Sequence, residues 1–292
     1  MFGGGLAYSY GDGCIAVGMI VGLDWAEQDF NPQDALTHFK NHAYMRRFVA
    51  DGKVIEAGAK MIPEGGYHAV PRDPATNAIG KANVLLVGDS AGLVNMLKIK
   101  GLHCALDSGR LAGEAAAAAA GAPLTAAQAY TERLERSTVM RELRQARHYR
   151  QFVARCGNLV GLPLSAAANV LPLLRTEPDF RAMRRRRYRL KGNKEFDKDT
   201  FTALAHTEHR EDQPPHLQIV DPGLCAAGCV PKFGAPCITF CPAGVYEDIQ
   251  GVVKAANASN CLHCKTCQRK CPFDNIRWTV PEGGGGPRYK RM

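Results

Sequence analysis

The sequence has no run of about eighteen uninterrupted apolar residues, so no segment is built to cross a bilayer as a helix. Its first ten residues, MFGGGLAYSY, have no basic n-region and no small-residue cleavage site, so nothing marks a secretory signal. Without secretion, a disulfide framework lacks its oxidising compartment. Lysine and arginine number 37 against 28 acidic residues, a net +9 that suits an anionic lipid, an acidic protein or a nucleic acid. No basic stripe interleaved with aromatics is present to stack bases, which argues against nucleic acid. No G-x-G-x-x-G phosphate turn occurs either; Gly3-Gly4-Gly5 is not one. At 292 residues and 46% hydrophobic, the chain has ample material for a core, in one large domain or two smaller ones.

What the sequence does have is cysteine, concentrated near its end. Eight of eleven cysteines fall in two runs. The second run, Cys261, Cys264, Cys267 and Cys271 with Pro272 after it, reads C-x2-C-x2-C-x3-C-P, the spacing of bacterial ferredoxins. Thiolates two residues apart in a tight turn converge on one face of a cubane cluster. The cysteine before proline is thrown out of that turn and ligates the other cluster of a two-cluster ferredoxin. The first run, Cys225, Cys229, Cys237 and Cys241 with Pro242 after it, is looser but ends the same way. Exchange of the Cys-Pro ligands then gives one cluster on Cys241, Cys261, Cys264 and Cys267, and a possible second on Cys225, Cys229, Cys237 and Cys271. Zinc also takes four thiolates, but a triple C-x-x-C-x-x-C followed by C-P is an unusual zinc pattern.

Upstream, residues 2–24 predict a β-hairpin, two apolar runs about the turn Gly11-Asp12-Gly13. Residues 31–50 predict a helix, with Asn31 as N-cap and Pro32 in its first turn. Residues 53–62 predict a strand. The apolar run 83–87 predicts a buried strand leading into Gly88-Asp89-Ser90-Ala91-Gly92. A helix follows from about Gly101 through the alanine run 115–120. A strand, a glycine turn and a helix can bring backbone N–H groups to a pyrophosphate, with Asp89 accepting from a sugar hydroxyl; the same pattern is also an ordinary turn. Residues 125–156 predict one long charged helix. The apolar passage 156–174 is broken by Gly157, Gly161, Pro163 and Pro172, and an arginine-rich stretch follows to Lys191. Apolar area followed by cations suits a monotopic membrane contact, at about 1 kcal/mol per cation; a buried helix beside a solvated basic loop is the other reading. Residues 192–220 predict a linker into the cysteine-rich segment, with an extended stretch at Asp212-Gln213-Pro214-Pro215-His216-Leu217.

Several motifs carry a family likeness. They are Cys241-Pro242-Ala243-Gly244-Val245-Tyr246-Glu247, Asn260-Cys261-Leu262-His263-Cys264-Lys265-Thr266-Cys267, Asn275-Ile276-Arg277-Trp278 and the Pro281-Glu282 glycine run ending at Pro287. His209 with Asp212-Gln213-Pro214 and His216-Leu217 fits too, as does Lys98-Ile99-Lys100-Gly101-Leu102-His103. From about residue 2 onward the chain resembles the C-terminal portion of the electron transfer flavoprotein (ETF)–ubiquinone oxidoreductase family.

That resemblance implies an α+β chain. Residues 1–200 would form a partial FAD-binding (glutathione-reductase-like) and quinone-binding region, with a membrane-contact segment at 156–191. Residues 201–292 would form a ferredoxin-like 4Fe-4S domain. It implies FAD contacts at Gly88, Asp89, Gly101 and Leu102, a quinone headgroup near Gly3 and Gly4, and cluster ligands at Cys241, Cys261, Cys264 and Cys267. The implied partners are ETF, a membrane quinone such as ubiquinone, and the membrane surface. The implied place is the cytoplasmic face of a prokaryotic inner membrane, or the mitochondrial inner membrane in a eukaryote.

Two departures stand out. The family's amino-terminal half, with its phosphate turn, has no counterpart here, so a fragment or a split gene product is expected, with a separate chain as one source of the missing half. The second cysteine set also has no counterpart in the mitochondrial form. The expected activity is electron transfer from reduced ETF, through a 4Fe-4S cluster and FAD, to quinone. The alternative is a non-catalytic iron–sulfur electron carrier, or a fragment without the flavin's ADP-binding half. His103 and His263 are expected to be structural, with His263 placed to tune the cluster.

Overall fold

The computed structural model describes residues 2–64, 66–120, 125–171 and 196–291. They form two compact units, Met1–Met61 with Phe180–Met292, and Ile62–Asp179. This division runs along other lines than 1–200 and 201–292. The reason is apolar: Met19, Val21 and Leu23 of the amino-terminal hairpin, and the buried Trp25 and Phe30, share one core with the cysteine-rich segment.

The first unit opens with β1 (Gly3–Gly11) and β2 (Cys14–Val21), an antiparallel pair with Gly3 opposite Val21. Its turn needs three left-handed residues, Gly11, Asp12 and Gly13, which is why two of them are glycine. Two helices follow, α1 (Pro32–Asn41) and α2 (Ala43–Val49), in place of the single helix expected over 31–50. Asn31 caps the first through the Gln33 amide, at 3.0 Å. His42 is extended and its Nδ1 accepts from the Tyr44 amide at 3.3 Å, so it ends one helix and caps the next.

Residues 53–62 form no strand. They run as a strap whose hydrogen bonds are taken singly: Ala57 N to Leu204 O at 3.3 Å, Met61 N to Cys264 O at 3.0 Å, and the Glu56 carboxylate to the Lys290 and Arg291 amides. A pattern that looks like a strand has here been recruited as backing for the cysteine-rich loop.

Helix α7 (Lys198–Leu204), capped by Asp197, interrupts the expected linker. Beyond it, β5 (Leu217–Ile219) pairs with β8 (Ile276–Trp278), and β6 (Glu247–Ile249) pairs with β7 (Val252–Lys254), both antiparallel. Between them lie α8 (Pro222–Leu224), a single π turn (Cys225–Cys229), α9 (Val230–Phe233), α10 (Pro236–Phe240) and α11 (Thr266–Lys270). Trp25, Phe30 and Phe240 pack ring to ring in the core, with centroids 5.2 and 5.9 Å apart.

The second unit is mainly helical. Its ladder, β3 (Gly80–Lys81) and β4 (Val84–Leu85), is two residues long, and Val84 is 66% exposed. The expected buried strand over 83–87 is therefore an edge fragment, and among the described residues every ladder has only two strands. The chain is α+β, but no open sheet of a glutathione-reductase-like flavin fold is formed by these residues. Helix α3 (Leu102–Ala119) packs its small face, Ala112 and Ala115, in one core with Tyr130 and Leu134 of α4 (Ala126–Arg136). The long helix expected over 125–156 is broken: Ser137 is extended, ends α4 and caps α5 (Thr138–Gln145). A further break at residues 146–148 precedes α6 (Tyr149–Ala167). Within α6 the chain reverses at Gly157 (φ 70°, ψ 177°). Gly161 then lies against Phe152 and Val153, where a Cβ would meet backbone at 2.7 Å.

Glu142 of α5 ties down the loop before α3. Its carboxylate receives Lys98 Nζ at 2.9 Å and Asn95 Nδ2 at 3.0 Å, and lies 3.2 Å from His103 Nε2. His103 is thus a structural partner. The Lys98 bond first, then His103, hold the Glu142 carboxyl down at about 2 against an ordinary 4.5. A depressed carboxyl lends stability that is complete above pH 4.5 and is lost as pH falls toward 2. Glu142→Gln should therefore cost about 1 kcal/mol at pH 7 by thermal unfolding, with the gap to the parent closing as pH drops below 4. A gap that stays constant from pH 7 to pH 3 would contradict this role.

Candidate metal centre

Four cysteines from two segments surround one cavity. Cys241 leaves the end of α10 in extended conformation, Cys261 ends a 3-10 turn, Cys264 sits in the loop, and Cys267 lies in α11. His263 (φ 54°) and Lys265 (φ 59°) alternate with them in left-handed backbone, uncommon for residues with a Cβ. All four are buried, and with Leu217, Phe240, Tyr246 and Leu262 they line a space of about 340 Å³ counting its open mouth. Backbone N–H groups point at the sulfurs: His263 N donates to Cys261 Sγ at 3.4 Å, Ala243 and Val245 face Cys241, and Gln268 faces Cys267. Tyr246, whose hydroxyl finds no acceptor of ordinary geometry, stands beside Cys267. Burial pushes the Cys241 thiol up, and Cys261 and Cys267 to about 12. Such thiols stay neutral in water at pH 7 and ionise only against a strong local cation, which is the chemistry of a metal-ligating set.

The remaining four cysteines of the segment come together separately. Cys225 and Cys229 sit one turn apart on the π turn, closed by the Val230 amide on Cys225 O. A π turn inserted in a helix is a frequent mark of a functional site. Gly234 (φ 65°) then ends α9, and Pro236 starts α10 so that Cys237 comes back beside Cys229 and Cys225. Cys271, after α11, completes the group: the Asn275 side chain donates to Cys225 Sγ at 3.2 Å while the Asn275 amide donates to Cys271 Sγ at 3.3 Å. The grouping is the one that exchange of the Cys-Pro residues gives. No cysteine of either group is in a disulfide.

Spacing between the sulfurs bears on the metal. Zinc–sulfur bonds of about 2.3 Å in a tetrahedron place thiolates roughly 3.8 Å apart. Among the described residues, the donors that all lie within 4.8 Å of one another are His209, His216 and His263, and no three of the cysteines do. Both cysteine groups are thus wider than one tetrahedral ion requires.

The histidine trio forms a wall beside the first group. His209 Nδ1 donates to Ser259 O at 2.6 Å, so its Nε2 accepts from His263 Nε2 at 2.8 Å. Burial first, then His209, His216 and nearby lysines, lower His263 to about 4, and burial likewise lowers His216. Burial thus favours the neutral form of His263 and His216. Trp278 packs on His216 and His263 with centroids 5.5 Å from each. The sequence offered His209 and His216 only as parts of a motif; nothing in it signalled that they meet a residue some fifty positions away.

Residues expected at other sites lie as follows. Gly88 and Asp89 open a 3-10 turn (Gly88–Ala91) and meet the start of α3, where a Cβ on Gly101 would be 3.4 Å from Asp89 Oδ1. No side chain caps α3, and Leu102 is exposed. In the other unit, Gly3 abuts Ile20 O and Gly5 abuts the Phe39 ring, while nothing lies within 4 Å of a Cβ on Gly4. Of the three, only Gly4 has open space where a Cβ would stand.

A small domain of two hairpins and short helices, with sulfurs gathered about Cys-Pro corners, defines an iron–sulfur protein of the ferredoxin-like kind. Comparison narrows the class. Residues 192–290 match the family described as "Electron transfer flavoprotein-ubiquinone oxidoreductase, 4Fe-4S", and residues 1–62 match "ETF-QO, ubiquinone-binding". The chain belongs to the electron transfer flavoprotein-ubiquinone oxidoreductase family. It is 35% identical over 311 residues to the mitochondrial member from Oryza sativa subsp. japonica, covering 100% of this chain and 52% of the relative. It is 36% identical over 321 residues to that of Arabidopsis thaliana, covering 100% and 48%. The probable member from Acinetobacter baylyi is 30% identical over 326 residues, covering 99% and 56%. The chain thus spans about half the length of the curated relatives it matches.

Gly286 closes the site from the tail. At φ 118° it faces His263, and an added Cβ would stand 2.6 Å from Cε1 of that ring. Gly286→Ala is expected to push His263 off Trp278 and His209 and to lower stability by about 1–3 kcal/mol, read as the urea midpoint of the loaded protein. An unchanged midpoint would mean the wall is not tight.

Proposed function

We propose that this chain is the cluster- and quinone-bearing part of an ETF:quinone oxidoreductase. It would move electrons from reduced ETF to a membrane quinone by way of a 4Fe-4S cluster and FAD. The observation that carries the reading is the cavity lined by Cys241, Cys261, Cys264 and Cys267. These four residues would be the cluster's ligands. When bound, the cluster supplies one-electron transfer and the flavin couples single electrons to two-electron chemistry. The chain's own part is to desolvate the sulfurs, aim the amides of Ala243, Val245, His263 and Gln268 at them, and keep water out with Tyr246, Leu262 and the histidine wall.

For the flavin, the uncapped amides at the start of α3 suit a phosphate, and Asp89 stands beside them to accept from a sugar hydroxyl. With no G-x-G-x-x-G turn in the chain, the flavin's ADP half would be held by residues outside it, in the same polypeptide or a separate one. The open backbone at Gly4 suits the edge of a quinone ring.

The α6 hairpin supports membrane association. Its tip and exit present Leu159 at 93%, Val160, Leu162, Val170 and Leu171 to solvent. No helix among the described residues is long and apolar enough to cross a membrane, so contact would be with one leaflet. The expected contact segment continues through 172–191, outside the described residues.

The test is quinone reduction by the anaerobically reconstituted protein with reduced ETF. Activity is expected, with loss of at least about a hundredfold in Cys264→Ser, whose remaining three thiolates hold a cluster poorly. Oxidation of reduced ETF with no flavin retained and no quinol formed would favour a carrier module. No iron and no oxidation of ETF would sink both. On vesicles of mixed neutral and anionic lipid, Leu159→Glu should weaken binding about tenfold or more, since burying one leucine is worth about 1.5–3 kcal/mol. Unchanged binding would remove this hairpin from the membrane surface.

A further inference from the structure

Four thiols of the cysteine-rich segment lie outside the first site and remain unused by this reading. We propose that Cys225, Cys229, Cys237 and Cys271 hold a second 4Fe-4S cluster.

Their convergence is geometric. The π turn sets Cys225 and Cys229 one turn apart, where an uninterrupted loop would have needed the tighter C-x-x-C spacing. The longer stretch to Cys237 is taken up by α9 and the reversal at Gly234 and Ala235, both left-handed. Cys271 arrives from the far end of the segment, and Asn275 joins it to Cys225 through two N–H···S contacts at 3.3 and 3.2 Å. Asn275 is itself 4% exposed and donates its side-chain amide also to Asp221 O at 2.7 Å, so its orientation is fixed. Amide donors aimed at sulfur favour thiolate over thiol. Phe233 and Phe273, with ring centroids 5.9 Å apart, supply an apolar wall, and Gly228 lies under the Phe273 ring.

The two groups share one plan. Each takes three cysteines from its own run and one Cys-Pro residue from the other, Cys241 going one way and Cys271 the other. A disulfide reading fails because all four thiols are free in a mutually facing set. A zinc reading fails because no three of their sulfurs lie within 4.8 Å of one another.

The experiment counts iron and acid-labile sulfide per full chain after anaerobic reconstitution, with EPR of the reduced protein. About eight irons and a spin-coupled signal are expected. Cys229→Ser and Cys237→Ser should each drop the count to about four and leave a simple signal. Cys264→Ser should also leave about four, from the second group. Asn275→Ala keeps every sulfur; it should retain about eight irons and shift only one of two one-electron potentials. About four irons in the parent, unchanged by Cys229→Ser but lost in Cys264→Ser, would overturn the second cluster and leave the first intact. Zinc beside four irons would overturn it too. No iron at all would overturn both this cluster and the reading of the first site.

Discussion

The exchange of two cysteines between two runs is the constraint on which the rest depends. Cys241 follows directly on the helix that carries Cys237, yet it faces the other group; Cys271 does the same after Cys267. Neither group can close unless the 225–241 segment and the 261–271 segment are side by side. The pairing of β5 with β8, and the bonds from Asn275 to Asp221 and Val220, hold them there. Other parts of the first unit cover this junction. The strap at 53–62 backs Cys264 with a hydrogen bond to its carbonyl, and the histidine wall seals the side facing the tail. Lys270, buried in α11 and lowered to about 8 by desolvation, donates to Trp25 O and lies 4.5 Å over the Trp25 ring.

The cysteine grouping was legible because ligand spacing is a local code, and the corner before proline reverses the chain whatever surrounds it. The hairpin was legible from Gly11-Asp12-Gly13, and α3 from its alanines. Four things were not. The break of the 31–50 helix lay in His42, whose capping bond to Tyr44 competes with helix continuation and leaves no apolar mark. The break at Ser137 was hidden for a related reason: serine is tolerated within helices as well as before them. The strap at 53–62 has the apolar content of a strand, but its partners were fixed by tertiary packing. The histidine trio was assembled from positions 209, 216 and 263, and no spacing rule joins them.

The expected flavin site shows the limit from the other direction. Gly88, Asp89 and Gly101 do meet, because a left-handed glycine and the chain reversal before α3 bring turn and helix start together. Among the described residues the ladder in this unit is two residues long, so a backbone able to approach a phosphate is present there without an open sheet behind it.

The first unit is discontinuous: the core that buries Trp25 and Phe30 of Met1–Met61 is completed by residues of Phe180–Met292. During synthesis the hairpin and first helices must wait, apolar side open, until the last segment leaves the ribosome, a delay on the order of tens of seconds. The early segment is a natural client for chaperones in the interval.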